Sequence, residues 1–255
     1  MITPDTARAW QRRARPQLGT LVEVGVLVPA VGHLRVTVAI DAAFAAIQLA
    51  QDGLSRFDPH SDVSRFHALR RGERMTLRPV THHVLAAAQA LHLASGGLFD
   101  ISLGSAPDGW ALDGDALVKL HGQVRLDLGG IGKGHAVDLA VQALRDSGCT
   151  AGWVNAGGDL RTFGDVDIPL HLRCEQRGGV RSFAVLRDGA FATSAFGPGG
   201  RARLAGSDGL HGQAAHISVA APLCLWADAL TKVVALSGQA AHPLLARYGA
   251  RAWLH

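Results

Sequence analysis

The stretch from residue 126 to residue 161 constrains the chain most. It reads Leu126-Asp127-Leu128-Gly129-Gly130-Ile131-Gly132-Lys133-Gly134-His135-Ala136-Val137-Asp138, runs through an apolar helical pattern, and closes on Val154-Asn155-Ala156-Gly157-Gly158-Asp159-Leu160-Arg161. Two glycine clusters thus flank one helix, and each carries a charged residue at its tip. Glycine accepts φ > 0 and lets backbone N–H groups approach a ligand closely. A glycine turn that opens a helix gathers unpaired N–H groups and the positive end of the helix dipole at one place. That place suits an anion, and phosphate is the usual one.

Two common phosphate-binding motifs are excluded. A P-loop needs Gly five residues before the Gly-Lys pair and Ser or Thr after it; here those positions hold Asp127 and Gly134. A dinucleotide G-x-G-x-x-G starting at Gly130 would need Gly where His135 stands. Spacing alone also fits two tight turns around an ordinary helix with Lys133 in solvent.

The run Asp127 to Gly134, the following Asp138 and the run Asn155-Ala156-Gly157-Gly158-Asp159 resemble the signature of the ApbE family, whose members are FAD:protein FMN transferases. The family pattern usually has Ala before the Lys, where this chain has Gly132, and Tyr after Lys-Gly, where it has His135. The resemblance extends over nearly the whole chain. Gln17-Leu18-Gly19-Thr20 matches the family's Met-Gly-Thr against the flavin, with Leu18 for Met. Phe57 to His67 follows a family segment with Asp62 for Glu and His67 for Asn. Leu98-Phe99-Asp100 matches a Phe-Asp pair that borders the flavin, and Ala192-Thr193-Ser194 a segment that supplies hydroxyl donors.

The family's His-His segment, which should follow, is not recognisable in residues 202–212. A histidine there is a natural general base, because it titrates near neutrality. His211 and His216, both nearby, are the candidate replacements. The last match is Ala227-Asp228-Ala229, where the family binds Mg²⁺ with the Asp and a Thr or Ser four residues on. Here that later position is Lys232, and Thr231 stands one residue short of it. Oxygen ligands one helical turn apart face the same way and suit a hard cation. Either Thr231 takes the ligand role, or the Lys232 ammonium sits where the metal would be, paired with Asp228 across one turn.

Composition bounds the alternatives. A length of 255 residues with 48% hydrophobic content argues for a packed core. A formal charge of +4 gives no reason to expect nucleic acid, and Arg12, Arg13 and Arg15 form the only dense basic cluster. Lys119, Lys133 and Lys232 are the only lysines. Cys149, Cys174 and Cys224 are widely spaced, without a C-x-x-C, so neither a zinc site nor a disulfide framework is expected. No apolar run is long enough for a membrane span. Glu23 interrupts the first apolar stretch, which argues against a signal peptide. A cytoplasmic protein is expected.

Periodicity predicts helices over 36–51, 81–95, 135–147 and 225–237. It predicts strands over 20–28, 124–128, 151–155, 160–163, 169–174, 181–186 and 189–194, with a short helix and closing strand at the end. Ser61 is the expected N-cap of one helical turn. Gly148 is the expected stop of the helix over 135–147. Arg187-Asp188-Gly189 reads as a hairpin turn. Residues 1–16 are expected to be a loose tail on one domain spanning 1–255. His82, His83 and His92 lack metal-ligand spacing and read as solvated or satisfied.

The expected fold is α+β, with mixed, largely antiparallel sheets packed against helices; the resemblance implies the T-fold-like architecture of ApbE proteins, with two packed subdomains. It also implies transfer of FMN from FAD to a Thr or Ser hydroxyl of an acceptor protein, releasing AMP. In that scheme Gly129, Gly130, Gly157 and Gly158 cradle the pyrophosphate and Lys133 neutralises it. Asp138 and Asp159 hold ribose or neighbouring backbone, Leu18, Gly19, Thr20, Phe99 and Asp100 line the flavin site, and Thr193 and Ser194 supply hydroxyl donors for a phosphate or ribose. The Gly132 carbonyl, Asp228 and Thr231 hold Mg²⁺, with Asp228, Lys133 and His211 as the catalytic candidates. The alternatives are a homologue that binds FAD or hydrolyses it to FMN and AMP, and a scaffold with a vestigial pocket.

Overall fold

A computed structural model describes residues 9–28, 33–173, 178–196 and 215–255. The described elements are β1 (Ala9–Gln17), β2 (Thr20–Val28), α1 (His33–Leu54), α2 (Asp62–Ala68), β3 (Arg74–Thr76), α3 (Pro79–Ala94), β4 (Trp110–Asp113), β5 (Ala116–Lys119) and α4 (Gly132–Asp146). They continue with β6 (Gly152–Ala156), β7 (Asp159–Phe163), β8 (Ile168–Arg173), β9 (Val180–Leu186), β10 (Ala190–Phe196), β11 (Ala215–Ala221), α5 (Cys224–Ser237), α6 (Leu244–Arg247) and β12 (Arg251–Leu254).

The main sheet has seven antiparallel strands in the order β1-β2-β6-β7-β10-β11-β12. Val22, Val24 and Val26 of β2 alternate onto one face, with Val154 of β6 and Ile217 and Val219 of β11, and all are fully buried. Helices α1, α4 and α5 pack together over the sheet. On α1 the core side chains Val36, Ile40, Phe44 and Ile47 recur at helical spacing. Helix α5 is buried over nearly its whole length, as its apolar sequence requires, and ends on Gly238 in the left-handed conformation at φ 67°. Smaller units flank this core: a three-stranded sheet, β3-β5-β4, and a two-stranded ribbon, β8-β9. The architecture is the expected α+β, with antiparallel sheets against helices.

Helices over 36–51, 81–95, 135–147 and 225–237 are all present within a few residues. Ser61 Oγ accepts the Ser64 N–H at 3.0 Å and caps α2, as read from sequence. Gly148, at φ 83°, ends the helical segment of α4.

Three expectations are corrected. The tail over 1–16 is a strand from Ala9 onward, paired with β2 along its length from Ala9↔Val28 to Gln17↔Thr20. It lacks hydrophobic alternation because it is an edge strand. Its arginines protect that edge from pairing with another chain, and Arg15 lies over the Phe44 ring, 4.5 Å from its centroid. Residues 124–128 are extended but join no sheet. Their N–H groups go instead to Ser105 Oγ from Arg125, to His67 Nε2 from Leu126 and to the Ile101 carbonyl from Asp127. The Arg187-Asp188-Gly189 turn does not close a hairpin: β9 pairs with β8 in the ribbon, and β10 joins β7 and β11 in the main sheet. Strands β3, β4 and β5 are too short, at three or four residues, to show a period in the sequence.

Candidate functional site

Two tight turns meet at one end of the main sheet. Leu18 and Gly19, at φ 54° and 69°, form the two-residue loop between β1 and β2. Gly157 and Gly158, at φ 63° and 106°, form the loop between β6 and β7. Two-residue hairpin loops favour positive φ because their twist then matches that of the strands. The Leu18 N–H is held by Gln51 Oε1 at 2.7 Å, which ties this turn to α1. A Cβ on Gly157 would lie 2.5 Å from Thr20 Oγ1, so only glycine lets the two turns touch. The loop Asp127–Gly130 approaches from the side, with the Gly129 N–H bound to Asp127 Oδ1 at 2.9 Å.

Between these turns, the β8-β9 ribbon and the helices lies a cavity of about 1790 Å³. Leu18, Gly19, Thr20, Phe99, Asp100, Gly129, Gly130, Gly132, Lys133, Gly157, Gly158, Thr193 and Ser194 all line it, so thirteen sequence-selected residues do converge. Among them, Asp100 has its carboxylate committed locally. It accepts the N–H groups of Ser102 and Gly104 at 2.7 and 2.8 Å and the Ser102 hydroxyl at 2.9 Å, shaping its own loop.

The polar floor consists of two ammonium–carboxylate pairs. Lys133 Nζ is bonded to Asp159 Oδ2, and Lys232 Nζ to Asp228 Oδ1. The lysines line the cavity; Asp159 and Asp228 stand behind them, 2% and 0% exposed. Burial pushes the Asp159 carboxyl up and Asp228 adds to the push, while Lys133 and Lys232 oppose it, and the balance is about 6. Asp228 moves the other way. Burial disfavours its charge, but Lys232 and then Lys133 hold the carboxyl below the usual range. Burial also works against the Lys133 ammonium, yet Asp159 and Asp228 keep it well above its ordinary value. The cavity therefore presents two ammonium groups to a ligand while the carboxylates that balance them stand behind, and on the cavity side an anion is what that arrangement favours.

Helices α4 and α5 are locked together under this floor. A Cβ on Gly134 would sit 2.2 Å from the Cys224 carbonyl oxygen, so glycine permits the crossing. The Gly134 N–H points at Asp228 Oδ2, 3.3 Å away. Asp138, one turn further along α4, accepts the N–H groups of Cys224 and Leu225, both at 2.9 Å, and Arg161 Nη1 at 2.7 Å. It thus supplies the N-terminal cap that α5 does not supply itself. Of the two roles expected for Asp138, ribose or neighbouring backbone, its oxygens serve the backbone. His135 is buried and stacks on His83 with centroids 4.9 Å apart. Burial, reinforced by His83, pulls its imidazole down to about 4. The other two histidines weighed as metal ligands are satisfied by carbonyls, His82 by Gly114 at 3.0 Å and His92 by Phe99 at 2.8 Å.

The oxygen set expected to hold Mg²⁺ does not fit a metal ion. Asp228 Oδ1 and the Asp228 carbonyl both accept Lys232 Nζ, the second at 3.0 Å, and Ser194 Oγ accepts it at 3.2 Å. Thr231 is fully buried and does not line the cavity, and its hydroxyl is engaged within the fold. It donates to the Asp228 carbonyl at 2.7 Å and meets Ser194 Oγ at 2.9 Å. An ammonium carries three donors, and here they fill the oxygens a hard cation would use. Of the Gly132, Asp228 and Thr231 set expected to hold a metal, the Asp228 oxygens facing Lys232 are thus taken by the ammonium. His211 and the rest of 202–212 lie outside the described residues.

The sequence model of the ApbE family matches residues 18–116 and 110–198. The chain belongs to the ApbE family. Solved structures share the fold over nearly its whole length. The flavinyl transferase ApbE of Pseudomonas stutzeri superposes with a TM-score of 0.76 at 22% identity, covering 97% of this chain and 91% of that one. The ApbE protein of Thermotoga maritima gives 0.79 at 19%, covering 96% and 94%. The flavin transferase ApbE of Vibrio cholerae gives 0.71 at 18%, covering 90% and 87%. No curated protein matches by sequence.

Several lining residues escaped the sequence reading. Gln51 lines the cavity, as do Leu160, Leu170, Leu172 and Phe191, which form one apolar wall with the ribbon, and Asp127 and Asn155, which stand in the signature runs without a role, line it too. The clue for Asn155 was local: its Oδ1 accepts the Gly158 N–H at 3.0 Å, a common use of Asn beside a turn. The ribbon wall had no such clue, since its strands read as ordinary sheet. Among the described residues, no helix is long and apolar enough to cross a membrane.

Proposed function

We propose that this chain transfers FMN from FAD to a Thr or Ser hydroxyl of an acceptor protein and releases AMP. The observation that carries the reading is the cavity floor: two lysines, each anchored by a buried carboxylate, line with the two glycine turns a space large enough for a dinucleotide. Family membership and the fold shared with flavin transferases support the same ligand. In the reaction, the acceptor oxygen attacks the FMN phosphorus, and the bond from that phosphorus to the bridging oxygen breaks. AMP leaves with that oxygen, and the hydroxyl proton passes to a base, for which His211 is the candidate. Positioning and charge neutralisation dominate such phosphoryl chemistry. Lys133 and Lys232 supply charge, the N–H groups of Gly130 and Gly157 supply hydrogen bonds while those of Gly129 and Gly158 are held by Asp127 and Asn155 and shape the turns, and Phe99, Leu18 and Phe191 supply apolar surface for a ring. No step passes through a metal ion. A water molecule in place of the acceptor gives the second reading, hydrolysis to FMN and AMP; the lysine on the expected metal oxygens is the observation that favours it.

The test mixes the chain with FAD, Mg²⁺ and a small acceptor domain bearing a target threonine, then reads the intact mass of the denatured acceptor. A gain of one FMN, abolished by Lys133→Met, is the expected result. Free AMP and FMN without a mass gain would select hydrolysis. No product and no FAD binding would end both readings.

A further inference from the structure

We propose that the Lys232 ammonium is a built-in cation that does the work of a divalent metal, so that the chain binds its diphosphate ligand without one. The inference rests on the reading of the cavity as a flavin-dinucleotide site. Three separate features converge on it.

The first is donor matching. Lys232 Nζ meets three oxygens from two elements: the Asp228 carboxylate and carbonyl on α5, and the Ser194 hydroxyl on β10. A chelated cation would want the same combination of carboxylate, carbonyl and hydroxyl oxygens. The second is space. The lysine side chain is 9% exposed, yet it lines the cavity. Its methylenes run beneath Gly130, where a Cβ would come within 3.0 Å of Lys232 Cε. The glycine turn that faces the ligand is thus shaped around the lysine stem, and a metal with its waters would have to expel that stem. The third is charge. Asp159 and Asp228 are balanced by Lys133 and Lys232, so the floor is neutral without any ion. A divalent cation bound beside an intact Lys232 would place a second cation against the same buried carboxylate, and like charges there oppose each other without water to screen them. The ammonium donates on the cavity side through a single neutral partner, Ser194, and exchanging that hydroxyl for a phosphate oxygen turns a neutral acceptor into a charged one.

Removing the lysine should reverse the arrangement. Lys232→Ser frees the three oxygens and opens the space of the stem, so a divalent cation can enter. Lys232→Met removes the charge but keeps the bulk.

The experiment has two arms. Flavin fluorescence quenching measures FAD affinity with EDTA and with Mg²⁺; electron paramagnetic resonance measures Mn²⁺ binding to the ligand-free protein. Wild type should bind FAD equally in both media, within about twofold, and should show no Mn²⁺ site that depends on Asp228. Lys232→Ser should lose about tenfold in EDTA, the size of one charge-assisted contact, recover with Mg²⁺ and gain a Mn²⁺ site. Lys232→Met should lose a similar factor in both media. A wild-type affinity that falls tenfold in EDTA, or a wild-type Mn²⁺ site abolished by Asp228→Asn, overturns the proposal. So does a folded Lys232→Ser chain that keeps full FAD affinity in EDTA or gains no Mn²⁺ site. Should Lys232→Ser fail to fold, Lys232→Met and the wild-type comparison decide. Should FAD not bind at all, the flavin reading fails, and the Mn²⁺ arm on the ligand-free protein still decides which cation the oxygens hold.

Discussion

Replacing Asp138 with Asn separates a structural carboxylate from a ligand contact. In the structure its two oxygens accept three donors: the first two N–H groups of α5 and the Arg161 guanidinium. Asparagine keeps the shape but offers one acceptor oxygen and an NH₂, so at least one donor faces another donor. A lost cap costs about 1 kcal/mol. An ion-pair partner left unpaired in a buried place costs about 3–5 kcal/mol. The Arg161 side chain retains 13% exposure, so water relieves part of that. Burial, which already pushes the Asp138 carboxyl up against the pull of Arg161, is relieved as well when the charge goes. The balance is a loss of about 3 kcal/mol, or roughly 6–12 °C in Tm for a chain of this size. Circular dichroism during thermal and urea unfolding reads it. FAD affinity, measured well below the new Tm, should stay within about threefold of wild type, because the carboxylate faces α5 and not the cavity. An unchanged Tm with FAD binding lost would refute the reasoning and return Asp138 to the ligand.

Two further outcomes follow from the same helix pair. Gly134→Ala places a methyl 2.2 Å from the Cys224 carbonyl oxygen; backbone must move, and a loss of about 1–3 kcal/mol in urea unfolding is expected, a change under 0.5 kcal/mol counting against the close crossing. His135 is held down to about 4 from an ordinary 6.5. The unfolded chain therefore takes up a proton that the folded chain refuses, and stability falls as pH drops from 6.5 towards 4, by up to about 3 kcal/mol. Urea midpoints of wild type and His135→Gln across that range should converge at acid pH, and parallel profiles would show that His135 is not the cause.

The candidate site divides along a physical line. Helices α1, α3, α4 and α5 were legible because a buried helix face repeats every three to four residues whatever it packs against. The turns at Gly129–Gly130 and Gly157–Gly158 were legible because few residues other than glycine fit such backbone, a local requirement. From the turns came the expectation of a phosphate ligand, and the family resemblance they carry added thirteen residues that line the cavity.

What stayed hidden depended on partners far away in the chain. Nothing near Ala9–Gln17 announces a strand, because its ladder comes from β2 and its polar side chains suit an exposed edge. Nothing near Asp138 says that its carboxylate caps a helix 86 residues later. The pairing of Lys232 with Asp228 could be read from a spacing of four residues, but on an exposed helix that pair has little energetic weight. Only the tertiary structure buries it, adds Ser194 from β10 and brings Gly130 over the lysine stem. The sequence by itself determined the turns and the helices and raised the expectation of an anionic ligand, because those follow from local backbone freedom and local periodicity. Which side chains face the ligand, and which serve the packing beneath it, was decided only when α4, α5 and β10 came together, because burial and charge are properties of the assembled neighbourhood.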